Sequence, residues 1–368
     1  VELLSKRLKQ IVLYRNLRQP KGSKPLKKME TSKSVPRDEI VEKISMPAFE
    51  PMKKKTGRME SVELPHTVMK QLEDLLATYA GLYQDNSFHS FEHACHVTMS
   101  ANKLLQRIIF RPNVEKKFSK EAHDYTYGLG SDPLTQFAIV FSAIVHDLDH
   151  SGVSNSRLTQ ENNRLAIMYD GKSVAEQNSI DLAFEVLTSQ SYSDLVSCIC
   201  ADEKEYIRFR QLVINCVMAT DIFDKDLLSL RNSRWNKAFS CEDESASDLK
   251  ATIVIEHIIQ AADVAHTMQH WHVYQKWNEK LFAEMRAAYE AGRGPEKDPA
   301  TTWYEGELWF FDNYVIPLAK KLDDCGVFGV SSDECLNYAV QNRTEWASKG
   351  QEVVEQFSRK YSGTNSQQ

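Results

Sequence analysis

The sequence predicts an all-α fold, a compact multi-helix bundle, on three observations. From Val62 onward apolar residues recur three and four positions apart almost without a break, as on the buried face of a helix. No alternating apolar–polar run of useful strand length appears. Turn-forming clusters divide the periodic stretches: Gly128-Leu129-Gly130-Ser131-Asp132-Pro133, Asp170-Gly171 and Gly292-Arg293-Gly294-Pro295. With 368 residues, 42% hydrophobic and 26% charged, the composition is that of an ordinary globular protein long enough for a large core.

Taken in order, residues 1–60 read as a basic linker or tail, largely disordered with a short helix. They carry 16 Lys/Arg against 7 Asp/Glu and five prolines. Apolar residues at 3, 4, 8, 11, 12 and 13 suit a short basic amphipathic helix, either a solvated linker helix or one touching a membrane or neighbouring domain. Residues 61–360 form the expected folded domain, and 361–368 a disordered tail. In the domain Met69, Leu72, Leu75, Leu76 and Tyr79 keep helical spacing, as do Val97, Ala101, Leu104, Leu105 and Ile108. The same period runs through 174–200, 206–230, 248–290, 303–321 and 333–358.

The formal charge of −6 is divided unevenly: residues 1–60 carry a net +9, the remainder −15. An acidic body argues against a nucleic-acid partner and suits a site that gathers cations. Seven scattered cysteines without a CxxC pair point to free thiols rather than a disulfide framework. The longest apolar run, 137–145, is about half of the roughly 20 residues that a membrane span needs. The first residue is Val, so a longer polypeptide is expected.

Chemistry concentrates in four segments. His146-Asp147-Leu148-Asp149-His150 follows that apolar run directly. Unpaired polar groups there would cost several kcal/mol, and an adjacent His and Asp offer a divalent ion one nitrogen and one anionic oxygen. His89, His93 and His96 lie four and three apart, neighbours on a helix. Thr220-Asp221 closes the apolar segment 212–218, and Asp263 is embedded in apolar sequence, where a carboxylate needs a cation or donors. Singly, each has an ordinary reading, a core histidine or a helix-capping aspartate. The order H-x3-H, H-D-x-D-H, T-D, A-D is far more specific than any one member.

With these motifs the chain resembles the catalytic domain of class I 3′,5′-cyclic-nucleotide phosphodiesterases over about residues 65–357. The resemblance rests on His89, His93, His146, Asp147, Asp149 and His150, on Gly152-Val153-Ser154-Asn155, and on Leu165-Ala166-Ile167-Met168-Tyr169 with Ser173-Val174-Ala175-Glu176. Tyr274 and Trp277 follow Asp263 at the family's spacing, and Phe310, Phe311, Asp312, Pro317 and Leu318 match its C-terminal pocket segment. The resemblance implies a bundle of the HD-domain type with a metal site at the base of a deep pocket. It also implies hydrolysis of cAMP, cGMP or both to 5′-monophosphates, ending cyclic-nucleotide signals. His93, His146, Asp147 and Asp263 would hold a tight Zn²⁺. Asp147 would bridge to a more hydrated Mg²⁺ or Mn²⁺, with His150, Glu176 and Thr220 orienting its waters. A hydroxide shared by the two ions would attack phosphorus, and His89 would protonate the departing 3′ oxygen. Phe310 and Leu281 would sandwich the purine, with Glu307, His266, Tyr274 and Trp277 completing the substrate pocket. Some members carry a cyclase or membrane-receptor region upstream, which would make this a cytoplasmic-side domain tethered through residues outside this sequence.

The chain departs from the family pattern at Ser90, His96 and Gln177-Asn178-Ser179, the last expected to loosen support around the second ion. Glu307 stands where the family has a glutamine that meets the purine edge. An ionised carboxylate only accepts hydrogen bonds, which suits guanine N1–H; a protonated one serves adenine. His266 replaces an Asn of some cAMP-preferring members. The sequence therefore leaves the base preference open, with cGMP expected at least as good a substrate as cAMP. The alternatives are another HD-superfamily metal-dependent phosphohydrolase and a catalytically weak cyclic-nucleotide-binding domain.

Overall fold

The structure, a computed structural model, describes residues 1–18, 34–50, 62–109, 120–239 and 246–361. Among them there is no strand. The chain runs through α1 (Glu2–Arg18), α2 (His66–Leu82), α3 (Phe91–Ile109), α4 (Lys120–Tyr125) and α5 (Pro133–Val145). Then come α6 (Asn155–Gln160), α7 (Arg164–Met168), α8 (Val174–Leu187), α9 (Ser193–Ile199), α10 (Glu203–Met218) and α11 (Lys225–Phe239). The last are α12 (Ser247–Asp263), α13 (Trp271–Glu290), α14 (Pro299–Phe310), α15 (Ile316–Asp324) and α16 (Val330–Tyr361). A π turn, Phe311–Val315, joins α14 to α15.

The bundle is organised around α5, every residue of which is buried. Its start is set chemically: Gly128 takes a positive φ of 88°, the Asp132 side chain accepts from the Leu134 amide, and Pro133 occupies the first turn. Arg208 of α10 pairs with Asp132 at 2.7 Å, so the cap is itself neutralised. Helices α1, α3, α10 and α12 pack on α5, and the helix delivers His146 and Asp147 from its C-terminal end. No described helix is long and apolar enough to cross a membrane.

Two of the expected long helices are interrupted where the site needs loops. The 206–230 stretch divides into α10 and α11, and the break holds Thr220 and Asp221. The 248–290 stretch divides at a 3₁₀ turn, Ala265–Met268, which follows Asp263 directly.

Part of the N-terminal region, expected as a basic linker or tail with a short helix, lies against the body. Leu4, Leu8 and Ile11 are in the main core, at the spacing of one helix face. Arg7, 5% exposed, donates to Gln136 of α5 at 2.8 Å and Asn102 of α3 at 2.7 Å; burial lowers its guanidinium to about 10. Residues 34–46 also lie against the body: Glu39 takes a two-pronged ion pair from Arg210 at 2.7 and 2.8 Å, and Ile44 is fully buried. Apolar spacing in a basic stretch was visible, but its partner is a helix more than 100 residues away in the chain. Residues 19–33 and 51–60 of the expected linker, and residues 362–368, lie outside the described residues. Leu8→Ala is expected to destabilise the protein by about 2–5 kcal/mol, read from denaturant unfolding; no change would mean that α1 is not part of the cooperative unit.

Candidate active site

Three segments meet at the end of α5. His93 of α3 is fully buried, its ring held against Phe88 at 4.5 Å and Trp277 at 5.4 Å. Its Nε2 lies 3.0 Å from Asp263 Oδ1 and 3.9 Å from Asp147 Oδ2. His146 Nε2 lies 3.0 Å from Asp147 Oδ2 and 3.4 Å from Asp263 Oδ1. The four sequence-predicted ligands are thus one cluster, drawn from α3, the end of α5 and the end of α12.

The cluster fits a divalent cation. His146 Nδ1 lies 3.0 Å from the Ala143 carbonyl; a carbonyl only accepts, so Nδ1 carries a proton, and Nε2, which faces the carboxylates, can give its lone pair to a cation once it releases its own proton. His146 Nε2 and Asp147 Oδ2 are both buried without an aligned hydrogen-bond partner, which a folded protein tolerates poorly unless something else satisfies them. Burial alone would raise both carboxyls. Instead His146 holds Asp147 far below the usual range, and His146 with His93 does the same for Asp263. Two anionic oxygens and two imidazoles suit zinc or a similar borderline ion.

A second pair of carboxylates lies beside this cluster. Asn155 Nδ2 donates to Glu176 Oε2 at 2.9 Å and to Asp221 Oδ2 at 3.2 Å. Burial, and then repulsion from Asp221, push Glu176 up to about 8, the behaviour of an acidic pair waiting for a cation. Asp221 shares the motif with Thr220, and here the aspartate makes the connection. The Thr220 hydroxyl donates back to the Val217 carbonyl at 2.7 Å.

His89 is organised differently. Its Nδ1 is 2.5 Å from Glu284 Oε1, and Glu284 Oε2 accepts the backbone N–H groups of Phe88 and His89 at 2.8 and 3.0 Å. Burial works against a charged imidazole, but Glu284, with Asp147 and Asp263, raises His89 to about 9. His150 stacks on it, ring centroids 3.8 Å apart; burial and the charge on His89 lower His150 to about 4. Gly152, at φ +71°, passes so close that an added Cβ would meet Asn86 Oδ1 at 3.0 Å and Glu284 Cγ at 3.4 Å. Sequence reasoning missed Glu284. It was legible only as the next member of the 274, 277, 281, 284 face of α13, in a stretch whose charges look like an ordinary solvated face.

The residues expected on the substrate side fall on α13, α14 and the turn after α12. Glu307 is 8% exposed, and its Oε2 accepts the Tyr274 hydroxyl at 2.7 Å. Burial pushes Glu307 up to about 7, against the pull of that hydrogen bond. His266 is buried beside Trp277 and Phe88, and its Nδ1 has no partner. Phe310 stacks on Tyr314 at 5.3 Å, and Leu281 is half-buried on the neighbouring α13.

Each residue of the triplet Gln177-Asn178-Ser179 is hydrogen-bonded to a neighbouring loop. Gln177 donates to the Lys172 carbonyl at 2.7 Å and Asn178 to Asp149 Oδ2 at 3.3 Å. Ser179 donates to the Leu148 carbonyl at 2.9 Å. Asp149, in a left-handed backbone conformation, is thereby turned toward Asn178 and Gln84.

The chain is 28% identical over 279 residues to a probable 3′,5′-cyclic-AMP phosphodiesterase of Caenorhabditis elegans, covering 72% of this chain and 37% of that protein. It is 22% identical over 285 residues to the cGMP-specific 3′,5′-cGMP phosphodiesterase 3 of Dictyostelium discoideum, covering 75% and 55%. The fold is similar to the phosphodiesterase domain of Salpingoeca rosetta rhodopsin phosphodiesterase, with TM-score 0.61 and 21% identity over 80% of this chain and 86% of that one. The family model of 3′,5′-cyclic nucleotide phosphodiesterases matches residues 88–327, a span that takes in His89, the four-residue cluster and Glu307, and the chain belongs to that family.

Proposed function

We propose that this chain hydrolyses 3′,5′-cyclic nucleotides to nucleoside 5′-monophosphates with two divalent cations. The observation that carries the reading is the convergence of His93, His146, Asp147 and Asp263, with imidazole nitrogens 3.0 to 3.9 Å from carboxylate oxygens, beside a histidine locked to a buried glutamate. Zn²⁺ is the proposed occupant of that cluster, and Mg²⁺ or Mn²⁺ of the Glu176–Asp221 side. When bound, the ions supply a water of lowered pKa and offset the phosphate charge.

The chain's own residues do the rest. His89, protonated, gives its proton to the departing 3′ oxygen, which would otherwise leave as a costly alkoxide. Glu284 fixes the ring through Nδ1, leaving Nε2 to meet the substrate, and favours the charged form in which it can act as an acid. Tyr274 holds Glu307 on the base side. The engaged Gln177-Asn178-Ser179 triplet and intact cluster favour turnover over a weak binding domain. An upstream membrane receptor or cyclase, and a cytoplasmic-side location, are proposed from the +9 charge of residues 1–60 and the rhodopsin-linked relative.

Glu307 is proposed to set base preference, with cGMP accepted at least as well as cAMP. Below about 7 the carboxyl is neutral and donates to adenine N1; above it the carboxylate accepts from guanine N1–H. The kcat/KM ratio of cAMP to cGMP is therefore expected to fall as pH rises through about 7. Glu307→Gln should flatten that dependence and shift the ratio about tenfold at pH 8. Both substrates are compared across pH, with the products identified as 5′- rather than 3′-monophosphates. An unchanged ratio in the variant removes Glu307 from base recognition, and 3′-monophosphates would overturn the proposed bond cleavage.

A further inference from the structure

Arg37 lies outside the residues that the family model matches, on a short 3₁₀ turn, Pro36–Glu39, of the N-terminal segment. Its side chain is 15% exposed and reaches two separate loops. Nη1 donates to Asp224 Oδ2 at 2.6 Å and Ser173 Oγ at 3.2 Å, and Nη2 to Asp224 Oδ1 at 3.1 Å and Asp226 Oδ2 at 3.2 Å. Its backbone N–H donates to Gln177 Oε1 at 3.0 Å.

Both loops end at the Glu176–Asp221 pair. Ser173 precedes α8, three residues before Glu176, and sits in a left-handed conformation. Asp224 accepts the Leu227 amide at the start of α11, and its own amide donates to Asp221 Oδ1 at 3.1 Å. Asp221 and Glu176 then share Asn155. A planar guanidinium gripping a carboxylate with two prongs fixes orientation as well as distance. One fork thus spans the approaches to both acidic groups.

We infer that Arg37 is a positioning residue for the Glu176–Asp221 pair, so that the N-terminal segment sets how tightly the second, more weakly held cation binds. The inference rests on the two-cation reading above. It differs from a simple charge effect in sign. Removing a cation near a cation site tightens binding by Coulomb's law, whereas freeing the two loops weakens it.

The test is a Mn²⁺ titration of the chelator-stripped full chain followed by electron paramagnetic resonance. The unaltered protein, Arg37→Ala, Arg37→Lys and Lys237→Ala are compared. Lys237→Ala serves as control because it breaks only the exposed Glu42 contact of the same segment. Positioning predicts a weaker second class of Mn²⁺ by about tenfold in both Arg37 variants, with the tight class and the control unchanged. Tighter or unaltered second-class binding in Arg37→Ala overturns the inference, as does full retention in Arg37→Lys. A single class in the unaltered protein overturns the two-cation reading itself, and the inference with it.

Discussion

Asp263→Asn will strip the tight metal from the protein and lower turnover by about a thousandfold or more. The substitution keeps the side-chain shape and removes its charge, so the lost quantity is the anionic oxygen lying 3.0 Å from His93 and 3.4 Å from His146. A bound cation contributes several kcal/mol of charge stabilisation, and each 1.36 kcal/mol is tenfold in rate. Without the carboxylate, two buried imidazoles also face each other across 5.5 Å, centroid to centroid, with only Asp147 to balance them. Elemental analysis should find tight zinc in the unaltered chain and a substoichiometric amount in the variant. Retained zinc and retained turnover would remove Asp263 from the site.

The second large effect is at His89. His89→Asn should cost about 10²- to 10⁴-fold on cyclic nucleotides. The loss should shrink to within about tenfold on a p-nitrophenyl phosphodiester, whose leaving group needs no proton. Equal losses on both substrates would mean that His89 only binds. The pH profile carries the same argument. On the proposed mechanism the competent form is the imidazolium, so activity is expected below the His89 pKa and should be lost as pH rises through it. The two aspartates that help lift His89 to about 9 are offset when cations are bound, which leaves Glu284 as its principal support. The alkaline limb is therefore expected between the ordinary imidazole value of roughly 6.5 and about 9. Glu284→Gln should move it downward.

The helical fold was legible because its signals are local. Periodicity, the Asp132-Pro133 cap and the glycine turns act within a few residues, and they lie where the structure uses them. The four-residue cluster was legible for a different reason. Histidine and aspartate at the end of an apolar helix are costly unless something recruits them, so His146, Asp147 and Asp263 stood out against their surroundings. Glu284 did not, because an acidic residue on a charged helix looks solvated until the 88–89 backbone is seen to close over it. Arg37 was hidden in the same way: a basic residue in a basic stretch gives no hint of Asp224, 187 positions away. Asp221 was half visible, paired with Thr220 in one motif, and the structure shows which of the two reaches Asn155. The roles that remained obscure are those defined by a distant partner rather than by composition.

The most direct test of the central claim is release of 5′-nucleotide from cAMP and from cGMP by the purified chain, with Mg²⁺ added and after chelation. The account predicts turnover of at least one substrate that chelation abolishes and divalent metal restores. Metal-loaded protein that binds cyclic nucleotide but releases no 5′-monophosphate from either would contradict it.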